Sequence, residues 1–156
     1  MTLHSGPANS TKMISVDSPA GGGKTFLLNL ALAMFRSRGE IAIATASTGI
    51  AAMLLAGGGT AHSRFGIPVP VDNSSVSNIK VTSTRADILR KGAVLIWDEV
   101  TMADKKAIEC VDRLLREVMA SQDATLDSIP FGGKLIIFSG NRSIPNNSVG
   151  GIYEMP

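Results

Sequence analysis

The sequence predicts an α/β domain: a mostly parallel sheet with helices on both faces. Three observations carry that expectation. Short apolar runs alternate with amphipathic segments along the chain, the order that buries a parallel sheet between helices. The runs at residues 41–46, 93–97 and 134–138 are continuously apolar, as strands covered on both faces should be. A glycine-rich turn, residues 18–23, joins the first strand to the first helix.

Taken in order, residues 12–17 predict a strand and residues 24–38 a helix. Phe26, Leu27, Leu30, Leu32, Met34 and Phe35 give that helix a broad apolar face, and Gly39 is a natural stop. Residues 41–46 form the second strand. Ser47 or Thr48 can cap a helix that runs to Leu55 and ends in Gly57, Gly58 and Gly59. Residues 67–81, rich in Pro, Asn, Ser and Val, predict a long surface loop. A short helix at 84–91 ends at Gly92, and 93–97 is the third strand. Residues 104–119 show the clearest amphipathic rhythm, through Ile108, Val111, Leu115 and Val118. The fourth strand is 134–138. The expected organisation is a polar N-terminal tail (1–11), one globular lobe (12–139) and an irregular C-terminal tail (140–156).

Composition narrows the class. A chain of 156 residues, 44% of them hydrophobic, has room for one real core. Fifteen Lys and Arg against 13 Asp and Glu leave too little net charge to argue for a nucleic-acid or membrane partner. Cys110 is the single cysteine, so no intrachain disulfide framework or Cys-rich metal site can form. No apolar run is long enough to span a membrane, and the first dozen residues lack a signal-peptide core. These features predict an intracellular protein.

The stretch Ser18-Pro-Ala-Gly21-Gly22-Gly23-Lys24-Thr25 follows a strand and opens a helix, the context a phosphate loop requires. Glycines leave backbone N–H groups free to wrap phosphate oxygens, and the helix N-terminus adds partial positive charge. Lys24 would place its ammonium near the terminal phosphates, and Thr25 would offer a hydroxyl to Mg²⁺. The usual pattern begins with glycine; here Ser18 stands there.

Residues 94–97 deliver an acidic pair, Asp98 and Glu99, at the end of an apolar strand. Asp98 would hold Mg²⁺ and Glu99 would polarise an attacking water. Alone, such a pair is better explained as a cap for the following helix. Beside a phosphate loop, at the C-terminal edge of the same sheet, it points to a nucleoside triphosphate and Mg²⁺ site.

With these motifs stands Ala46-Ser-Thr-Gly-Ile-Ala-Ala52, then Gly57-Gly-Gly-Thr-Ala-His-Ser-Arg-Phe65 with Ile67-Pro68, Ile96-Trp-Asp-Glu99 and Pro130-Phe-Gly-Gly-Lys134. From about Val16 to Gly140 the chain resembles the Pif-type (petite integration frequency) DNA helicases of superfamily 1. The resemblance implies the N-terminal RecA-like lobe of an ATP-dependent DNA helicase, a P-loop NTPase fold. It implies ATP and Mg²⁺ as cofactors, single-stranded DNA as partner, and roles in DNA repair, recombination and telomere maintenance. A nuclear location, or a mitochondrial one, goes with it. In that family the stretch corresponding to residues 47–52 borders the DNA path, and the segment from Thr60 to Ser63 is characteristic. Thr48, Thr60, His62 and Ser63 are short polar groups suited to phosphate or sugar contacts. Arg64 could add charge. Phe65 is either a stacking platform or core.

The sequence also departs from the family pattern. No glutamine precedes Gln122, so the adenine-recognising segment is not matched. After the fourth strand the family's Gly-Asp-Phe-Arg-Gln becomes Gly140-Asn141-Arg-Ser143-Ile, with Pro145 close behind. A second RecA-like lobe, with the arginine that completes the ATP site, is not expected within this length. The lobe is therefore expected to be incomplete at its C-terminus and unable to unwind DNA alone. A truncated, non-catalytic nucleotide-binding remnant is the rival expectation. Trp97, alternating with Asp98, should point into packing. Cys110 should be a structural thiol, and Lys105-Lys106 and Arg90-Lys91 solvated helix faces or ends.

Overall fold

The computed structural model describes residues 2–5 as backbone and residues 12–19 and 21–140 in full. In chain order the elements are β1 (Thr2–Ser5), β2 (Met13–Asp17), α1 (Lys24–Ser37), β3 (Ala42–Ala46), α2 (Gly49–Leu54), β4 (Gly59–Thr60), α3 (Ala61–Phe65), α4 (Thr84–Lys91), β5 (Val94–Asp98), α5 (Lys105–Ala120) and β6 (Ile136–Gly140). The strands form one six-stranded sheet in the order β1-β2-β6-β5-β3-β4. Only β1 runs antiparallel; every other neighbouring pair is parallel. The expected α/β class is what the chain adopts.

Alternation along the strands divides the core in two. Ile43, Leu95, Trp97, Ile136 and Phe138 face α3, α4 and α5, packing with Phe65, Leu89, Val111 and Leu115. Val16, Ala44, Ala46, Val94, Ile96 and Ile137 face the other way, against Leu28 and Leu32 of α1 and Ala51 and Ala52 of α2. Both faces are covered, which is why β3, β5 and β6 are buried at every position. The α5 stripe is buried at Ala107, Ile108, Cys110, Val111, Leu114, Leu115 and Val118, as its periodicity requires.

Four features differ from expectation. The segment read as a polar tail contributes an edge strand: Thr2–Ser5 pairs with β2 from Thr2 opposite Asp17 to Ser5 opposite Ile14. Backbone pairing needs no apolar side chains, so composition alone does not reveal it. The Gly57-to-Gly59 turn leads directly into β4 and α3, which are two and five residues long. Helix α1 buries only Leu28 and Leu32; Phe26, Leu30 and Met34 are exposed. Between α5 and β6, where no element was expected, lie two 3-10 turns at Ala124–Ser128 and Pro130–Gly133. The second seats Phe131 in the core, its N–H bonded to Asp112. The departures noted at Asn141, Ser143 and Pro145 lie outside the described residues, as does the tail expected at 140–156 except Gly140, which is the last residue of β6. Among the described residues no helix is long and apolar enough to cross a membrane.

Candidate functional site

The phosphate loop leaves the C-terminal end of β2 and enters α1 through a backbone that suits glycine. Gly21 and Gly23 both adopt φ +77°, a left-handed conformation that costs glycine nothing. Gly22 N–H closes a turn on the Pro19 carbonyl at 3.0 Å. Gly23 is the N-cap of α1 and has no side chain to satisfy the first N–H groups, so they remain aimed out of the helix end. The Lys24 ammonium folds back and donates to the Ser18 carbonyl at 2.8 Å, which holds it over the loop. Ser18 is buried at 3% exposure, and Thr25 follows Lys24 in the first turn of α1.

The acidic pair leaves the same edge of the sheet, two strands away. Asp98 ends β5 and faces α1, by alternation with Val94 and Ile96. It is 4% exposed, and one carboxylate oxygen accepts the Glu99 N–H at 2.9 Å. Its carbonyl accepts from Ser47 N–H at 3.1 Å, tying β5 to the end of β3. Glu99 itself sits at φ 52°, ψ 39°, a left-handed conformation unusual for a residue with a Cβ. That sharp turn sets Glu99, half-buried, immediately beyond the end of β5. Strain of this kind clusters at functional sites. The donor set is hard oxygen only: one hydroxyl and one carboxylate. Among the described residues no group of three His, Cys, Asp or Glu forms a protein-only metal cage. A hydroxyl and a carboxylate are donor types that Mg²⁺ accepts alongside water and phosphate oxygens.

On the other flank, β3 and β4 end side by side, with Ala46 opposite Thr60. Each strand end starts a short helix through a threonine cap. Thr48 Oγ1 accepts from Ala51 N–H at 3.2 Å, and Thr60 Oγ1 accepts from Ser63 N–H at 3.3 Å. The four candidate DNA residues Thr48, Thr60, His62 and Ser63 are thus brought to one end of the sheet, with His62 and Ser63 exposed. Phe65 is not with them. It is 0% exposed, its ring 5.7 Å from that of Trp97, so it is core and no stacking platform. Trp97 packs as its position on the strand required and donates its indole N–H to Ser47 at 3.0 Å.

A family model described as PIF1-like helicase matches residues 2–145. The chain belongs to the PIF1-like helicase family. It is 32% identical over 132 residues to an ATP-dependent DNA helicase Pif1 from a Psychrobacter species, covering 83% of this chain and 19% of that relative. It is also 32% identical to the ATP-dependent DNA helicase RRM3 of Saccharomyces cerevisiae, across 78% of this chain and 16% of that protein. Among solved structures, a Bacteroides Pif1 helicase in complex with ADP-AlF3 and single-stranded DNA superposes with a TM-score of 0.69 at 34% identity. That match covers 85% of this chain and 28% of the helicase. The chain therefore spans less than a third of these relatives' length.

Of three arginines gathered beside this end of the sheet, motif reading named Arg64 and missed Arg36 and Arg85. Arg36, Arg64 and Arg85 line a cavity of about 700 Å³ at the open edge of β3, with Ala42, Ala44 and Ser63. Each guanidinium braces backbone: Arg36 donates to Ala56 and Ala42, Arg64 to Gly57, and Arg85 to Ser63 and Arg64. Arg36 comes from α1 and Arg85 from α4, so no linear motif announces those two. Arg85 in particular holds the turn that presents Ser63.

Proposed function

We propose that this chain is the ATP- and Mg²⁺-binding RecA-like lobe of an ATP-dependent DNA helicase. One observation carries the reading. A glycine-built phosphate loop and a buried Asp98 with a strained Glu99 leave the same edge of one parallel sheet, separated only by β6. Open α/β sheets bind ligands at that edge.

Ser18, the backbone of Gly21, Gly22 and Gly23, and Lys24 with Thr25 form the phosphate cradle. Lys24 neutralises charge on the terminal phosphates, moving from its contact with the Ser18 carbonyl. Thr25 and Asp98 would hold Mg²⁺, which supplies charge neutralisation on the phosphate oxygens when bound. Glu99 is the general base: its carboxylate takes a proton from the water that attacks the terminal phosphorus. Thr48, Thr60, His62 and Ser63 form the single-stranded DNA contact. Unwinding needs a second RecA-like lobe, with which this one would alternate its grip. Roles in repair, recombination and telomere maintenance, and a nuclear or mitochondrial location, belong to the same proposal.

A second reading, a nucleotide-binding remnant without turnover, is favoured by Asn141 standing where the family has an acid. Titration of the purified chain with a fluorescent ATP analogue, with and without Mg²⁺, tests the site. Wild type should bind and Lys24→Ala should lose most of that affinity; equal binding by both sinks the phosphate-loop assignment. ATP hydrolysis stimulated by single-stranded DNA supports the motor lobe, and binding without turnover selects the remnant.

A further inference from the structure

Five polar or charged residues are buried among the described residues: Ser18, Thr45, Ser75, Asp98 and Ser139. Four of them have hydrogen-bond partners. Ser18 donates to the Pro19 carbonyl, Thr45 to the Ile96 carbonyl and Ser75 to the Asp72 carboxylate, while Asp98 accepts from Glu99. Ser139 is the exception. Its hydroxyl is 1% exposed by residue and has no hydrogen-bond partner among the described residues. Arg113 Nε is also buried without a partner, but that side chain is anchored through its other nitrogen to the Ser75 carbonyl. A buried hydroxyl left unsatisfied costs roughly 1–3 kcal/mol, so a native one calls for a reason.

Its place in the sheet supplies one. Ser139 lies near the end of β6, the strand between β2 and β5. Val16 is its register partner on β2, one residue before Asp17 and two before the phosphate loop begins at Ser18. On the other side Trp97 pairs with Phe138, so the next step sets Asp98 alongside Ser139. Neighbouring strands run about 4.8 Å apart. Side-chain direction agrees. Phe138 and Trp97 face α5, whereas Ile137, Val16 and Ile96 face α1. Ser139 therefore points with Asp98 toward the α1 side, between the strand that launches the phosphate loop and the strand that delivers the acid.

We propose that Ser139 is a ligand-positioning residue of the nucleotide site. Its hydroxyl hydrogen-bonds the hydrated cation that Asp98 holds against the phosphates. The inference rests on the ATP–Mg²⁺ reading above and deepens it. Asp98 alone offers one carboxylate already committed on one oxygen to Glu99 N–H. A neutral hydroxyl beside it orients water without adding charge that would repel phosphate. The absence of a partner among the described residues then reflects a site shaped for its ligand.

The test is Ser139→Ala, which removes one oxygen and nothing else, measured by thermal unfolding and by Mg²⁺ titration with a non-hydrolysable ATP analogue. Without ligand the variant should unfold at the same temperature as wild type or above it, because an unsatisfied buried hydroxyl has been removed. With the analogue, the Mg²⁺ midpoint should rise about tenfold, the scale of one hydrogen bond to a charged group. Binding of ADP in EDTA should not change. A purely structural hydroxyl gives the opposite signature: lower stability without ligand and an unchanged Mg²⁺ midpoint, which overturns the proposal. Lys24→Ala is the control on the underlying reading. If wild type shows no nucleotide-induced stabilisation, or Lys24→Ala keeps all of it, the ATP site itself fails and the Ser139 role fails with it. A wild type that responds beside an unaltered Ser139→Ala rejects the serine alone.

Discussion

The hydroxyl oxygen of Ser18 stands 1.8 Å from the point a Cβ on Gly22 would occupy. The phosphate loop is thus closed on itself, and the serine at its first position fills the space inside. Gly22 does not need the left-handed backbone that Gly21 and Gly23 adopt. An alanine there is excluded by contact and not by conformation. Gly22→Ala should weaken ATP-analogue binding by tenfold or more, as the loop opens to relieve the clash. Ser18→Gly in the same chain should restore most of it, leaving only the Pro19 carbonyl at 3.0 Å to be accommodated. A double-mutant cycle should return a coupling of about 1–2 kcal/mol. Purely additive losses would mean that the two residues do not share this space when nucleotide is bound.

Thr48 caps α2, and the proposed DNA contact would give it a second role that substitution can separate. Its side chain caps α2, and its hydroxyl hydrogen remains free to meet a phosphate. Thr48→Ala should cost about 1 kcal/mol through loss of the cap and also weaken single-stranded DNA binding. Thr48→Asp keeps a capping oxygen but brings a negative charge to the proposed DNA contact. It should hold stability near wild type and reduce DNA affinity further than alanine does. Anisotropy with labelled oligonucleotide, beside chemical unfolding, reads both effects. If Thr48→Asp binds DNA as wild type does, this end of the sheet is not the DNA contact.

Much of this was legible in the chain because buried parallel strands and long amphipathic helices write continuous signals. The runs ending in Trp97 and Phe138 are strands within one or two residues of where they were expected, and α5 follows its apolar rhythm throughout. The glycine turn from β2 into α1 was legible because its signal is local, with Gly21 to Gly23 directly before the helix start at Lys24. What depends on pairing was not. Strand β4 is two residues long and exists only through its bonds to Thr45 and Ala46. Strand β1 is polar and is a strand only because β2 lies beside it. Ser139 is unremarkable in the linear chain and becomes notable only when β6 is threaded between β2 and β5.

Phe65 tests the line between core and site. It packs against Trp97, which also touches Phe138, and Phe138 meets Phe131 edge-on at 5.9 Å. Truncating the first ring of that chain leaves a cavity. Phe65→Ala should therefore lower unfolding stability by about 3–5 kcal/mol, and Phe65→Leu by less. Under conditions where Phe65→Leu stays folded, its DNA affinity should match wild type, because the ring reaches no solvent. A selective loss of DNA binding at unchanged stability would return Phe65 to the DNA path.

Lys134 makes stability depend on alkaline pH in a direction set by its surroundings. Its ammonium is partly buried and donates to the Arg90 carbonyl at 2.5 Å and the Gly92 carbonyl at 2.8 Å. Burial, then the neighbouring Arg90 charge, lowers its pKa from 10.5 to about 8. In the unfolded chain the same lysine holds its proton until about 10.4. Between those values the unfolded state binds more protons, so this residue makes folding more favourable as pH rises from about 8 towards 10. Cys110 works the other way. Burial raises its thiol pKa above 9.0, so its ionisation in the unfolded chain erodes stability in the same range. The comparison must therefore be between wild type and Lys134→Met, not of one protein alone. Measured by urea unfolding, wild type should gain on the variant between pH 7.5 and pH 9.5. If the stability gap between the two proteins is the same at both pH values, Lys134 titrates normally and its burial carries no charge penalty.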